Sequence, residues 1–271
     1  MKVYDCFSYL DEDLLLDLRL NIMDQHVDYF VIVESNRTWQ NNHKDHKFDL
    51  SRFEKFKDKI IYIKVTDMPD GDNPYVRENY QRNCISKGLI DSSNEDLIII
   101  SDLDEIPNPN QIKNFNKDMR YAVFKQMHFY YKINLQSQIN PYWFGSRICV
   151  KKYLKSPQWL RSLKFKKRPF WRLDKFRLNN IIQDGGWHFC NLKSPEQLLY
   201  KYNNLCETND PYVFKEKIDK KFLNLDEIKK RVDNGIDIIG RNENFKPITL
   251  DNKFPNYILK NKLQLKEWIV S

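Results

Sequence analysis

The heptad Ser101-Asp102-Leu103-Asp104-Glu105-Ile106-Pro107 follows directly on the apolar run Leu97-Ile98-Ile99-Ile100. In extended chain or a tight turn, residues two apart project to the same side, so Asp102 and Asp104 offer two carboxylates to one hard cation. Carboxylate and water oxygens suit Mg²⁺ or Mn²⁺. An ion of this kind, shared with a diphosphate, neutralises the charge that grows on a departing nucleoside diphosphate. Asp-x-Asp on its own is a weak signal, and its weight here comes from the strand-like run before it. Two other readings stay open. The acids could form a solvated turn leading into a helix near Pro109, or Asp102 could face a ribose or a base while Asp104 is the main ligand. Glu105 reads either as an acceptor behind the aspartates or as a charge at a helix N-terminus, the second being preferred.

Further candidates lie upstream. Glu34 closes the apolar run Tyr29-Phe30-Val31-Ile32-Val33, where a base or ribose could lie, and pairing with an arginine is its alternative. Arg77 and Arg82 sit five residues apart on one predicted helix, roughly 140° around it, so they need not share a face. One of them could fork onto a phosphate or onto Glu34, with ion pairs to Glu78 or Asp72 as the plainer reading.

The elements that must position these residues alternate in type. Val3–Tyr9 reads as a strand, and Asp13–His26 carries Leu14, Leu15, Leu18 and Ile22 at helical spacing with Asp11 or Asp13 as its cap. Tyr29–Val33, Ile60–Val65 and Leu97–Ile100 read as buried parallel strands, with helices at Ser51–Asp58 and Val76–Ile90 between them. This order predicts an α/β fold, a Rossmann-type doubly wound mixed sheet, in which ligands bind at the carboxyl ends of the strands. Glu34, Asp67 and the acidic heptad all fall there. Beyond Pro109 the spacing predicts one or two aromatic strands over Tyr121–Leu135, a turn at Asp184–His188, and a helix from Pro195 capped by Ser194. Another helix runs to Asn234, capped by Asp226 and stopped by Gly235, and the C-terminal part is irregular or helical.

The chain has 271 residues, enough for one large domain, and its hydrophobic content of 41% is that of a globular protein. Its aromatics, 17 Phe, 15 Tyr and 6 Trp, read first as core, and a surplus near polar loops would also suit stacking on sugars or bases. Five widely spaced cysteines with no C-x-x-C pair argue against a disulfide framework or a zinc knuckle and for reduced thiols. With no leader-like or membrane-spanning apolar run, the expectation is a cytoplasmic protein, at most peripheral at a membrane. The net charge of +8 is local: Lys151–Arg177 holds eleven Lys/Arg against Asp174 alone. A patch interleaved with Trp159, Phe165, Phe170 and Trp171 suits an anionic partner. A membrane or glycolipid surface is favoured over nucleic acid, which would be gripped in the same way.

Taken together, these runs resemble glycosyltransferase family 17. The heptad Ser101–Pro107 is similar to that family's signature, and Asp28–Ser35 to its second strand. Lys55–Ile61, Arg77–Asn83 and Gly186-Trp187-His188-Phe189 resemble further stretches in the same order, over roughly residues 1–210. The resemblance implies a GT-A-like fold with a donor half at about 1–108 and an acceptor half at about 109–210, the remainder, 211–271, being an extension packed on the same domain. It also implies a UDP-sugar donor (N-acetylglucosamine or another hexose), a glycan hydroxyl as acceptor, Mn²⁺ or Mg²⁺, and inversion at the anomeric carbon. One departure stands out: the family's His-x-Glu cluster after the next helix reads here as Leu205-Cys206-Glu207-Thr208-Asn209. Glu207 or His188 would then replace the absent histidine.

Within that frame the segment Asp184–His188 is the second candidate site. Gly185 and Gly186 allow a ligand close to the backbone. Trp187 could stack on a sugar face or fill the core, and His188 could bind metal or a β-phosphate. An inverting transfer needs a general base for the acceptor hydroxyl; Asp184 is the candidate, with Glu207, Asp174 and Glu105 as rivals. The competing classes are a non-catalytic basic-aromatic binding module and a nucleotidyltransferase on a similar sheet.

Overall fold

Four apolar runs build the centre of the molecule, three of them buried on both faces and the edge one half-buried. They are β1 (Val3–Ser8), β2 (Tyr29–Ser35), β3 (Ile60–Val65) and β4 (Leu97–Ser101). They pair in parallel in the order β3-β2-β1-β4. Alternation along them splits the core in two. Phe7, Phe30, Ile32, Leu97 and Ile99 face the helix α1 (Asp13–Met23). Cys6, Val31, Val33, Ile98 and Ile100 face the other side, toward Cys84, Ile85, Leu89 and Leu160. Those residues belong to the 3₁₀ segment Cys84–Leu89, which follows helix α2 (Pro74–Asn83), and to helix α3 (Pro157–Ser162). The doubly wound arrangement follows from this period-two partition.

The computed structural model describes residues 1–165, 180–209 and 220–270, without the side chains of Glu207, Asn209 and Lys220. Beyond β4 the sheet becomes mixed. The short β5 (Glu105–Pro107) follows the acidic turn; β6 (Tyr121–Tyr130), β7 (Leu135–Ser137) and β8 (Tyr142–Val150) come next. β8 joins β4 antiparallel and β6 joins β8 antiparallel. β9 (Ile181–Ile182) and β10 (Gly186–Cys190) both run parallel to β6, and β10 also takes β5 antiparallel. The α/β mixed sheet expected from the sequence is present. The C-terminal part joins the same sheet: after α4 (Pro195–Asn204) and α5 (Leu225–Asp233), β11 (Phe245–Pro247) pairs with β7. The last helix, α6 (Asn256–Lys260), packs on the α1 side through Ile258.

Several local expectations are corrected. Gly186–Cys190 is a strand, not part of a turn, because its backbone is captured by both β5 and β6. Residues Leu50–Lys59 form 3₁₀ turns capped by Asp49, and α5 is capped by Asn224, whose side chain accepts from Glu227 N, not by Asp226. Ser194 does cap α4, in a reciprocal pair with Gln197. The basic run is described only to residue 165. Lys166–Arg177, with most of the expected membrane or glycolipid patch and the rival base Asp174, lies outside the described residues. Among the described residues no helix is long and apolar enough to cross a membrane.

Candidate active site

The acidic turn is fixed from beneath before it presents anything to a ligand. Arg19 on α1 is wholly buried and forms a two-pronged pair with Asp5 of β1, Nε to Oδ2 at 2.8 Å and Nη2 to Oδ1 at 2.6 Å. Its remaining Nη1 donates to the carbonyls of Asp102 (3.0 Å), Leu103 (3.2 Å) and Glu105 (2.9 Å). A guanidinium presents its donors in a rigid fork, so one side chain here holds three consecutive-turn carbonyls. From the other direction, Phe189 N of β10 donates to Asp104 O at 2.8 Å, and Ser146 Oγ of β8 donates to Glu105 O at 2.9 Å.

The side chains above this floor are crowded with cations. Asp102 Oδ2 accepts from Arg161 Nη2 at 2.6 Å, and Oδ1 accepts from Arg82 Nη2 at 3.2 Å. Burial pushes the Asp102 carboxyl up, but Arg161 and Arg82 outweigh it and hold it well below the usual carboxylate range. Asp104 has longer contacts, 3.5 Å from Oδ1 to His188 Nε2 and 3.8 Å from Oδ2 to Lys201 Nζ. Burial again opposes ionisation, and His188 and Lys201 again outweigh it. For His188, burial works against protonation, yet Asp104 prevails and pushes it up to about 10. Its neighbour His128 is pulled the other way, to about 4, first by burial and then by the charge on His188.

Glu105 lies behind the aspartates. It is almost fully buried, with Oε1 accepting from Trp143 Nε1 (2.7 Å) and Arg161 Nη2 (2.7 Å) and Oε2 from Asp102 N (3.1 Å). The preferred reading as a helix N-terminal charge is therefore corrected: Glu105 begins a strand and supports the ion pair above it. Asp102 and Asp104 line one cavity together with Tyr9, Trp39, Glu78, Asn191, Lys193 and Lys201. It opens at the carboxyl ends of β1 and β4, where the sheet topology points. The oxygen donors fit a hard divalent ion: Asp104 has no contact to a cation shorter than 3.5 Å among the described residues, and Asp102 stays 42% exposed.

The other candidates are placed differently. Glu34 does not reach this cavity. It is buried under Lys44 Nζ (2.6 Å), Lys47 N (2.7 Å), Phe48 N (3.0 Å) and Tyr62 Oη (2.7 Å), so its partner is a lysine and its oxygens are used. Arg77 donates to the carbonyls of Trp39 (2.6 Å) and Gly71, leaving a structural role in place of a phosphate contact. Arg82 bonds to Glu78 (2.6 Å), Gln158 and Asp102 and acts on the site through that aspartate.

Asp184, Gly186 and Trp187 line a separate cavity with Lys125, Tyr142 and Tyr257, which shares no lining residue with the first. Asp184 is thus not brought to the acidic turn. A Cβ on Gly186 would meet Ile106 O at 2.2 Å, and one on Gly185 would meet Lys125 N at 2.6 Å. Strand packing leaves no room for a side chain at either glycine. Trp187 is a core residue whose Nε1 donates to Lys253 O at 3.0 Å. The side chain of Glu207 is outside the described set. Arg19, Trp143, Arg161 and Lys201 carry no local motif; the basic run around Arg161 suggested a patch for an anionic partner, yet this arginine turns inward onto Asp102 and Glu105.

A model of glycosyltransferase family 17 matches residues 1–246 of this chain. The chain belongs to glycosyltransferase family 17. It is a glycosyltransferase, and the match extends past the stretch over which the motifs alone carry the resemblance. No curated protein matches the chain. Among solved structures, the crystal structure of S. aureus TarS 1-349 is similar at 14% identity, covering 87% of this chain and 83% of that one, with a TM-score of 0.36. In this glycosyltransferase Asp102, Leu103 and Asp104 follow the end of β4 and line a cavity that holds both aspartates.

Proposed function

We propose that this glycosyltransferase moves a hexose or N-acetylhexosamine from a UDP-sugar to a glycan hydroxyl, with inversion, at the cavity beside Asp102 and Asp104. The observation that carries the reading is the pair of carboxylates lining one cavity whose walls also supply Lys201 and the Trp39 ring. Trp39 is held by its Nε1 donating to Gln81 Oε1 at 2.8 Å, which leaves its ring as a fixed surface for a base. Lys201, kept protonated by Asp104 against the pull of burial, stands where a diphosphate would meet the acidic turn.

Asp104, with the exposed edge of Asp102, would hold Mg²⁺ or Mn²⁺. Bound there, the ion would supply charge neutralisation on the leaving diphosphate. The chain's own contribution is preorganisation. Arg82 and Arg161 keep Asp102 ionised and oriented, and Arg19 fixes the backbone from which both carboxylates project. The acids on the cavity wall, Glu12 and Glu78 besides the two aspartates, replace Asp184 as the pool from which a general base is drawn.

A thermal-shift panel of nucleotide sugars and nucleoside triphosphates, with and without Mn²⁺, tests the reading. Ligand at 100 times its Kd stabilises by about 2.7 kcal/mol. One UDP-sugar should raise Tm only with metal, and Asp104→Asn should erase that rise. Stabilisation by a nucleoside triphosphate and by no nucleotide sugar would sink the proposal in favour of nucleotidyl transfer.

A further inference from the structure

Behind Asp104, on the side away from the cavity floor, two imidazoles and a thiol meet with unused ligand atoms. His128 on β6 and His188 on β10 are paired in register, and Cys190 lies two residues along β10 on the same face. The two rings are parallel, with centroids 4.7 Å apart. One nitrogen of each ring is oriented by an acceptor. His128 Nδ1 is 3.0 Å from the carbonyl of Asn140, so this nitrogen carries the proton. His188 Nε2 faces Asp104 Oδ1 at 3.5 Å. The opposite nitrogens, His128 Nε2 and His188 Nδ1, are buried; neither makes a conventional hydrogen bond, and the His188 ring has the Cys190 thiol as its polar neighbour besides Asp104. A ligand atom from each histidine and Cys190 Sγ all lie within 4.8 Å of one another.

Buried nitrogens without a conventional partner are costly. The arrangement around them is that of metal-binding histidines, whose second nitrogen donates to a carbonyl or a carboxylate. The ligand type matters as well. Two imidazoles and a thiolate are borderline to soft donors and select Zn²⁺, whereas the oxygens of Asp102 and Asp104 select Mg²⁺ or Mn²⁺.

From this we infer that His128 Nε2, His188 Nδ1 and Cys190 Sγ form a Zn²⁺ site, distinct from the hard-cation site of the acidic turn. Zn²⁺ takes tetrahedral geometry with bonds of about 2.0–2.3 Å, so its ligand atoms stand roughly 3.5 Å apart. Because the lone pairs of stacked rings run parallel, binding turns at least one imidazole out of the stack, and the fourth position is left for water. Protons on His188 Nδ1 and Cys190 Sγ leave to solvent as the ion enters. With Nδ1 on zinc, His188 keeps its proton on Nε2 and donates it to Asp104. It is then a positioning residue for that carboxylate and not a ligand of the ion in front of it. The inference does not depend on sugar transfer being the reaction.

Titration of chelator-stripped protein with Co²⁺ tests the site by its colour. One equivalent should produce a thiolate-to-cobalt charge-transfer absorption, displaced stoichiometrically by Zn²⁺. Cys190→Ser, nearly isosteric, should remove that absorption, and His128→Ala should weaken Co²⁺ binding at least tenfold. Asp104→Asn should retain the absorption at saturating Co²⁺ while losing the metal-dependent response to UDP-sugar, which separates the two sites. In the native chain, Zn²⁺ should slow alkylation of Cys190 by iodoacetamide, a readout that needs no variant. Absence of the absorption, its persistence in Cys190→Ser, its loss in Asp104→Asn, or alkylation of Cys190 unaffected by Zn²⁺ would each overturn the assignment.

Discussion

Two aspartate-bearing turns bracket β5 and β10, and they use similar residues to opposite ends. At Asp102–Glu105, charged side chains from α1, α2, α3 and α4 converge on three acids. At Asp184–Trp187 the contacts are mainly backbone: Gly185 N donates to Lys125 O and Asn108 N to Gly185 O, both at 2.8 Å. The first turn gathers charge that a buried site must balance, and the second saves space so that three strands can meet. An aspartate in a turn looks equally suggestive in either place. The side chains arriving from elsewhere in the chain separate a charge-gathering turn from a packing turn.

That contrast can be broken by mutation. The largest effect is expected at Asp104: replacement by Asn should lower UDP release from the donor by at least about 10²–10³-fold with the fold retained, read by a coupled nucleotide assay and circular dichroism. Next is Arg161→Met, which strands the buried Glu105. Loss of one partner of a buried pair costs about 3–5 kcal/mol, seen as a lowered urea midpoint, together with reduced turnover. Gly186→Ala should also destabilise strongly, by more than about 1 kcal/mol, because its φ of +124° and the nearby backbone leave no place for a methyl group. Its KM for donor should be unchanged in the folded fraction. The smallest effect is predicted for Asp184→Asn, with stability within about 0.5 kcal/mol and turnover within twofold. A large fall in turnover there would return the general base to Asp184 and undo the comparison.

What the chain discloses locally is what has a period or a cap. The apolar runs of β1 to β4 announce buried strands, and the acids after Ile100 announce themselves because a parallel strand must end at the ligand side. Ser194 and Gly235 mark helix ends for reasons confined to a few residues. The cation cluster has no such signature. Arg161 follows Asp102 by 59 positions and Arg19 precedes it by 83. Either could have been one more solvated charge, and only the docking of α3 and α1 turns them inward. Gly186 was misread for the converse reason, since a glycine pair resembles a turn unless the strand on each side is known. His128 escaped notice because a histidine within an aromatic strand has the same pattern as a core residue.

The grip of Arg19 has a mechanical corollary. Because one guanidinium ties Asp102, Leu103 and Glu105 to the first helix, the acidic segment is an anvil and cannot serve as a door. Any accommodation as substrates come and go falls to the facing wall, on the helix that carries Lys201. Relaxation-dispersion spectra of the donor-saturated protein should show exchange broadening there, with flat dispersion profiles for amides 101–106.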